Sequence, residues 1–265
     1  MRLCSIASGS SGNCIYVGSD ATHLLIDVGI SGKRIEEGAA LLGLRLTEID
    51  GIFITHEHAD HISGLGVLAR KYGIPIYATR GTMEAIRKTH SLGKIDDSLF
   101  HMITVDEKCI IKDMALYPMR TSHDAQEPVA YRISHDQKKI GIITDLGCYN
   151  EYTIACLKDL DVLYLEANHD VNMLQVGPYP YYLKQRILSD RGHLSNEASG
   201  KLLSRLLNDH MQAVVLGHLS KENNLPELAY ETVKLEITMS DSGYKADDFP
   251  IYVAKRSEIS QMITI

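Results

Sequence analysis

His56, His58, Asp60 and His61 place four metal-binding side chains within six residues. Imidazole and carboxylate are donors that zinc, manganese and iron accept. His56 and His58 are two apart, which in an extended segment turns both rings to the same side. Asp60 and His61 are adjacent, so they diverge and can serve a second ion nearby. A solvated polar loop is the plain alternative, because His and Asp are common in such loops. Here, however, the donors directly follow the apolar, β-branched run Ile52-Phe53-Ile54-Thr55. So many donors at the end of a buried strand read as a metal site. Helical spacing from Ile62 to Tyr72 then puts them on a strand-to-helix loop.

The motif His56-x-His58-x-Asp60-His61 after an apolar strand resembles the defining motif of the metallo-β-lactamase superfamily. The resemblance implies an α/β fold, an αββα sandwich of two mixed β-sheets packed face to face with helices outside. Its metal pair would lie at one edge of the sandwich. Three further segments stand at the ends of apolar runs: Thr121-Ser122-His123-Asp124, Thr144-Asp145-Leu146-Gly147 and Gly217-His218-Leu219-Ser220. By resemblance, His123 completes a first site with His56 and His58. Asp145 bridges the two metals, and His218 completes a second site with Asp60 and His61. Asp27, at the end of His23-Leu24-Leu25-Ile26-Asp27, supports the ligand loop from behind without binding metal. Aspartate rather than cysteine at the bridging position favours two-metal hydrolases over single-zinc or cysteine-containing lactamases. The implied cofactors are two divalent ions, zinc or manganese. Such a pair can share a hydroxide as nucleophile, with Asp60 also holding its proton. The chemistry suits phosphodiesters, but also thioesters and lactams.

Glu166, at the end of Val162-Leu163-Tyr164-Leu165, and His193, in Arg191-Gly192-His193-Leu194-Ser195-Asn196, bear on that choice. On spacing alone the plain reading is favoured, an ordinary strand-end carboxylate and part of a helix-entry loop. Ribonuclease Z-like enzymes carry a Glu and a His at matching places as a proton shuttle, and ribonuclease J-like enzymes have a Gly-His upstream of their final ligand. The resemblance therefore implies that Glu166 and His193, with Asp60, are catalytic, His193 protonating a departing ribose oxygen.

Nearly the full chain resembles the bacterial YycJ (WalJ) family. The carrying segments are Ser8-Gly9-Ser10-Ser11-Gly12-Asn13, Glu166-Ala167-Asn168-His169-Asp170, the His193 loop, and 217–224. The resemblance implies a cytoplasmic 5′-to-3′ DNA exonuclease linked to mismatch repair. Its partners would be DNA with a 5′ end and repair or replication proteins, with no membrane. A ribonuclease, a hydrolase of small phosphodiesters or thioesters, and a noncatalytic metal-stabilised adaptor are the rivals.

Candidate substrate contacts are Ser10, Ser11, Asn13, His169, Arg191, Ser195 and Lys221. The Gly/Ser loop at 8–13 can present N–H groups to a phosphate or simply close a hairpin. His169 fits a phosphate contact or a structural hydrogen bond. Lys184, Arg186, Lys201 and Arg205 could line a phosphate-tracking groove or face solvent. Tyr179, Tyr181 and Tyr182 could stack on bases or pack in the core.

The elements that must hold these residues are ordinary. Hydrophobic residues make up 45% of 265 and charged ones 23%, enough for a sizeable core in a single domain over 1–265. No run is apolar enough to span a bilayer and the start does not resemble a signal peptide. Five scattered cysteines with no Cys-x-x-Cys fit a reducing compartment, and Cys148 reads as a buried thiol. The net charge of −7 opposes wholesale attraction to nucleic acid, although bound cations would neutralise the ligand carboxylates. Strands are expected at 2–7, 14–18, 23–29, 49–55 and 74–78. A second sheet follows, from strands at 101–105, 109–111, 114–120, 128–134 and 138–144. Beyond Asp145, helices and strands alternate, with a last strand at 250–253.

Overall fold

The computed structural model describes residues 1–265, which divide into two compact units. One comprises Met1–Arg120, Ala125–Gln137 and Lys255–Ile265, the other Thr121–Asp124 and Lys138–Ala254.

In the first unit, β1 (Arg2–Ala7), β2 (Cys14–Gly18) and β3 (His23–Ile26) form an antiparallel meander. The chain then alternates: α1 (Gly32–Leu41), β4 (Gly51–Phe53), α2 (Ala59–Ile62), α3 (Leu65–Tyr72), β5 (Ile76–Ala78), α4 (Arg80–Lys88) and β6 (Phe100–Met102). Strands β3 to β6 are parallel, as helical crossovers require. Ser31 caps α1 by accepting from the Arg34 N–H, and Gly73 ends α3 in the left-handed conformation at φ 65°. The core under this sheet is built from side chains such as Tyr16, Leu25, Ile35, Ile52, Leu68 and Ile76. The antiparallel strands β7 (Cys109–Ile111), β8 (Met114–Arg120) and β9 (Val129–His135) follow.

The second unit is β10 (Lys138–Ile143), α5 (Glu151–Cys156), β11 (Val162–Glu166), α6 (Val171–Val176), α7 (Tyr181–Leu188), α8 (Asn196–Leu206), β12 (Ala213–Gly217), α9 (Pro226–Met239) and β13 (Ile251–Val253). Its four strands are parallel in the order β10-β11-β12-β13. Every residue of β11 and β12 is buried, which explains their apolar runs, broken in β11 only by the terminal Glu166. Asn150, Asp170 and Ser195 cap α5, α6 and α8, and Pro226 starts α9. The chain ends in β14 (Ile263–Thr264), antiparallel to β1. All strands belong to two seven-stranded mixed sheets.

Three expectations need correction. The segment expected at 101–105 joins the first sheet, as β6, because the α4 crossover returns it parallel to β5. The last strand is β14 rather than the one at 250–253; only pairing with β1 defines so short a piece. The helix expected over 62–72 breaks into α2 and α3 at Ser63-Gly64, where the Gly64 N–H donates to Val28 O at 2.8 Å. No helix is long and apolar enough to cross a membrane.

Candidate active site

In the first unit, the donors follow β4 and sit against the end of β3. Asp27 occupies the left-handed region at φ 58°, a conformation that costs a non-glycine residue about 1–2 kcal/mol. Held there, its buried carboxylate accepts from the Thr55 N–H and Oγ1 (both 2.8 Å) and meets His61 Nδ1 at 2.7 Å. That contact fixes the His61 proton on Nδ1 and turns Nε2 towards Asp60 Oδ2, 3.4 Å away. Thr55 Oγ1, having donated to Asp27, accepts from His56 Nδ1 at 3.0 Å. His56 Nε2 then points at His58 Nδ1, 3.1 Å away. Two imidazole nitrogens this close can both turn lone pairs on one cation. The loop is pinned by close backbone approach: a Cβ on Gly29 would lie 1.6 Å from Asp60 O, so only glycine fits.

In the second unit, the donors stand at the carboxyl ends of three neighbouring parallel strands, where open α/β sheets bind ligands. Asp145 follows β10, Glu166 ends β11 and His218 follows β12. Asp145 and His218 are both left-handed, at φ 56° and 55°. Donor atoms of Asp145, Glu166, His193 and His218 lie within 4.8 Å of one another. Asp145 Oδ1 is 3.4 Å from His218 Nε2, 3.5 Å from His193 Nδ1 and 3.7 Å from His123 Nε2. His123 donates from Nδ1 to Gly192 O at 3.0 Å, which turns its Nε2 to Asp145. Glu166 is fully buried; its Oε2 accepts from the Leu146 and Leu194 N–H groups at 2.8 and 3.3 Å. Its Oε1 accepts from His193 Nδ1 at 2.8 Å. This donor chemistry, oriented imidazoles beside buried carboxylates, fits divalent cations.

A model of the β-lactamase superfamily domain matches residues 22–218. The chain belongs to the metallo-β-lactamase superfamily. Within the superfamily it belongs with the WalJ/YycJ proteins. It is 42% identical to exodeoxyribonuclease WalJ of Streptococcus pneumoniae over 93% of this chain and 91% of that one. With exodeoxyribonuclease YycJ of Bacillus anthracis the identity is 40%, over 86% of each. Among solved structures, the metallo-β-lactamase fold protein YhfI from Bacillus subtilis superposes with a TM-score of 0.71 at 18% identity, covering 98% of both chains. The expected superfamily fold is therefore present.

The residues singled out as substrate contacts fall in different places. Ser10 and Ser11 are exposed on the β1–β2 loop. Asn13 is buried: its Oδ1 accepts from Gly9 N at 2.9 Å, and its Nδ2 lies 3.2 Å from His61 Nε2. It therefore shapes the superfamily loop from within. Ser195 is spent as the α8 cap, accepting from Ala198 N. Arg191 is exposed and donates to His123 O from Nε and Nη2, at 3.2 and 3.1 Å, and Lys221 is exposed. Burial pushes the His169 imidazole down to about 4, so it is neutral at pH 7 and has no charge to offer a phosphate. Cys148, expected to be buried, is exposed, because it lies on the loop between β10 and α5.

A knot of buried amides around His218 was not anticipated. Asn168 Nδ2 donates to His218 O at 2.9 Å, holding the left-handed turn at His218. Asn224 Nδ2 donates to Ala167 O and Asn168 O, and the Asn196 and Asn224 amides bond each other at 2.9–3.0 Å. In sequence these asparagines look like helix caps or loop polarity. Only burial reveals the difference.

Proposed function

We propose that the protein is a metal-dependent nuclease that removes nucleotides from the 5′ end of DNA, serving mismatch repair in the cytoplasm. His56, His58 and His123 would hold one divalent cation, Asp60, His61 and His218 the other, with Asp145 shared. When bound, zinc or manganese supplies Lewis acidity and activation of water at neutral pH. Asp60, half-buried beside His61, orients the attacking water. Glu166 keeps the His193 proton on Nδ1, so Nε2 is the atom that exchanges a proton with the leaving 3′-oxygen.

The observation that supports phosphodiester chemistry most is the Glu166–His193 pair at 2.8 Å beside Asp145. The names of the WalJ and YycJ relatives support DNA as substrate. The test is digestion of matched 5′-phosphorylated DNA and RNA strands by metal-stripped protein given zinc or manganese. Mononucleotides released from the DNA 5′ end, and lost in Asp60→Ala, are expected. Cleavage of RNA alone would move the substrate, and inert metal-loaded protein would end the nuclease reading.

A further inference from the structure

Helix α7 (Tyr181–Leu188) buries none of its residues. A surface helix normally hides an apolar stripe against its own core. Here Tyr181 and Tyr182 are 76% and 74% exposed, and Val176 and Leu188 also face solvent. The charge of this arm runs against that of the chain. Residues 171–191 contain Lys184, Arg186 and Arg191 against a single acid, Asp190, in a protein of net charge −7. The Arg186 guanidinium pairs with Asp124. Lys184 and Arg191, by contrast, spend their hydrogen bonds on the carbonyl oxygens of Gln175 and His123, so both charges remain uncompensated.

The arm is also fastened to the proton-transfer loop within the same unit. The His193 N–H donates to Ile187 O at 3.0 Å, and Ser122 Oγ donates to Asp190 O at 2.7 Å. A Cβ on Gly192 would lie 2.1 Å from Ile187 O, so loop and helix pack backbone to backbone. At 1.5 Å per residue, Tyr182 stands about 8 Å along the helix axis from Ile187. That is a span of two to three bases stacked at about 3.4 Å.

We infer that α7 is a platform that holds single-stranded nucleic acid leading to His193. Unpaired bases stack on Tyr181 and Tyr182, while Lys184 and Arg191 draw in the phosphates. Ring stacking of this kind is indifferent to base identity and requires unpaired bases, which selects a single strand over a duplex. The inference rests on the nuclease reading and names how that site grips its substrate.

The experiment compares wild type with the double variant Tyr181→Ala/Tyr182→Ala on a 5′-phosphorylated single-stranded oligonucleotide, with bis(p-nitrophenyl) phosphate as a small diester that does not reach α7. Loss of two stacking rings should raise KM for the oligonucleotide by about tenfold or more. The kcat and the small-diester rate should hold, and Tyr181→Phe/Tyr182→Phe should restore KM. An unchanged KM overturns the platform. So does an unchanged KM accompanied by loss of a wild-type dimer in sedimentation, which would make the patch a self-association surface. Wild type that hydrolyses the small diester but no oligonucleotide sinks the nuclease reading instead. Anisotropy with the same oligonucleotide then decides the platform separately: binding weakened in the alanine variant supports it, and equal binding overturns it.

Discussion

Glu166 Oε1 accepts a 2.8 Å hydrogen bond from His193 Nδ1, while Glu166 Oε2 is anchored by the N–H groups of Leu146 and Leu194. The carboxylate is therefore fixed at both ends, and one end dictates which ring nitrogen of His193 holds its proton. If the pair transfers protons, His193→Ala should lower kcat about 10²–10⁴-fold. Glu166→Gln should lower it less, since an amide still accepts from Nδ1 but no longer stabilises the imidazolium. Steady-state kinetics together with metal analysis checks this; full metal occupancy and unchanged kcat would remove His193 from the mechanism.

Asp27 does its work through His61 and Thr55. Replacing it with alanine frees the His61 ring to rotate and should weaken metal binding about 10–100-fold. Competition with a chromogenic chelator reads this directly. Equal affinity in Asp27→Ala would show that the carboxylate serves the loop's backbone alone.

Asn168 makes a parallel case in the other unit. Asn168→Ala removes the donor to His218 O and leaves a buried carbonyl unsatisfied, at a cost of about 1–3 kcal/mol. Lower stability in denaturant together with weaker metal binding is expected. Loss of stability with metal affinity intact would make the amide knot purely structural.

Metal binds the folded chain, so its removal should lower stability. At a free metal concentration of 100 times Kd the difference is about 2.7 kcal/mol. Thermal melts with and without chelator measure it, and the shift should shrink in His56→Ala and His218→Ala. A melt indifferent to chelator would argue against resident cations.

Asp161 ties β10 to the start of β11, accepting from Lys138 Nζ at 2.8 Å and Lys139 N at 2.9 Å. Burial pushes its carboxyl up, but the Lys138 and Lys139 bonds outweigh it and hold the group below the usual carboxylate range. With the folded pKa below the unfolded value of about 3.9, its contribution is present above that pH and lost as pH falls through the folded pKa. Asp161→Asn should therefore melt lower than wild type at pH 7, with the two curves converging in acid. A constant gap down to pH 2 would rule out this linkage.

Much of the candidate site was legible in the chain because its donors obey local rules. His56, His58, Asp60 and His61 fall within six residues, and His123, Asp145 and His218 each stand just past an apolar run, where the superfamily resemblance singles them out. The strands β1, β2, β7 and β8 fall where pattern puts them. The Asn168–Asn196–Asn224 knot was not legible, because an asparagine beside a loop has the same local signature whether it is solvated or buried. Nor was the left-handed backbone at Asp27, Asp145 and His218, which side-chain type does not announce.

The sequence by itself determined the candidate donors at 56–61 and much of the alternation of strands and helices, since these depend on residue type and short-range period, and its motifs carried the resemblance to the superfamily. Tertiary structure decided which sheet receives β6 and β14, because strand pairing is a long-range choice between edges. It also decided that Asn13 is an internal support, and that Tyr181 and Tyr182 stand in solvent. Burial is a property of what packs against a residue, and that is set by parts of the chain far away in sequence.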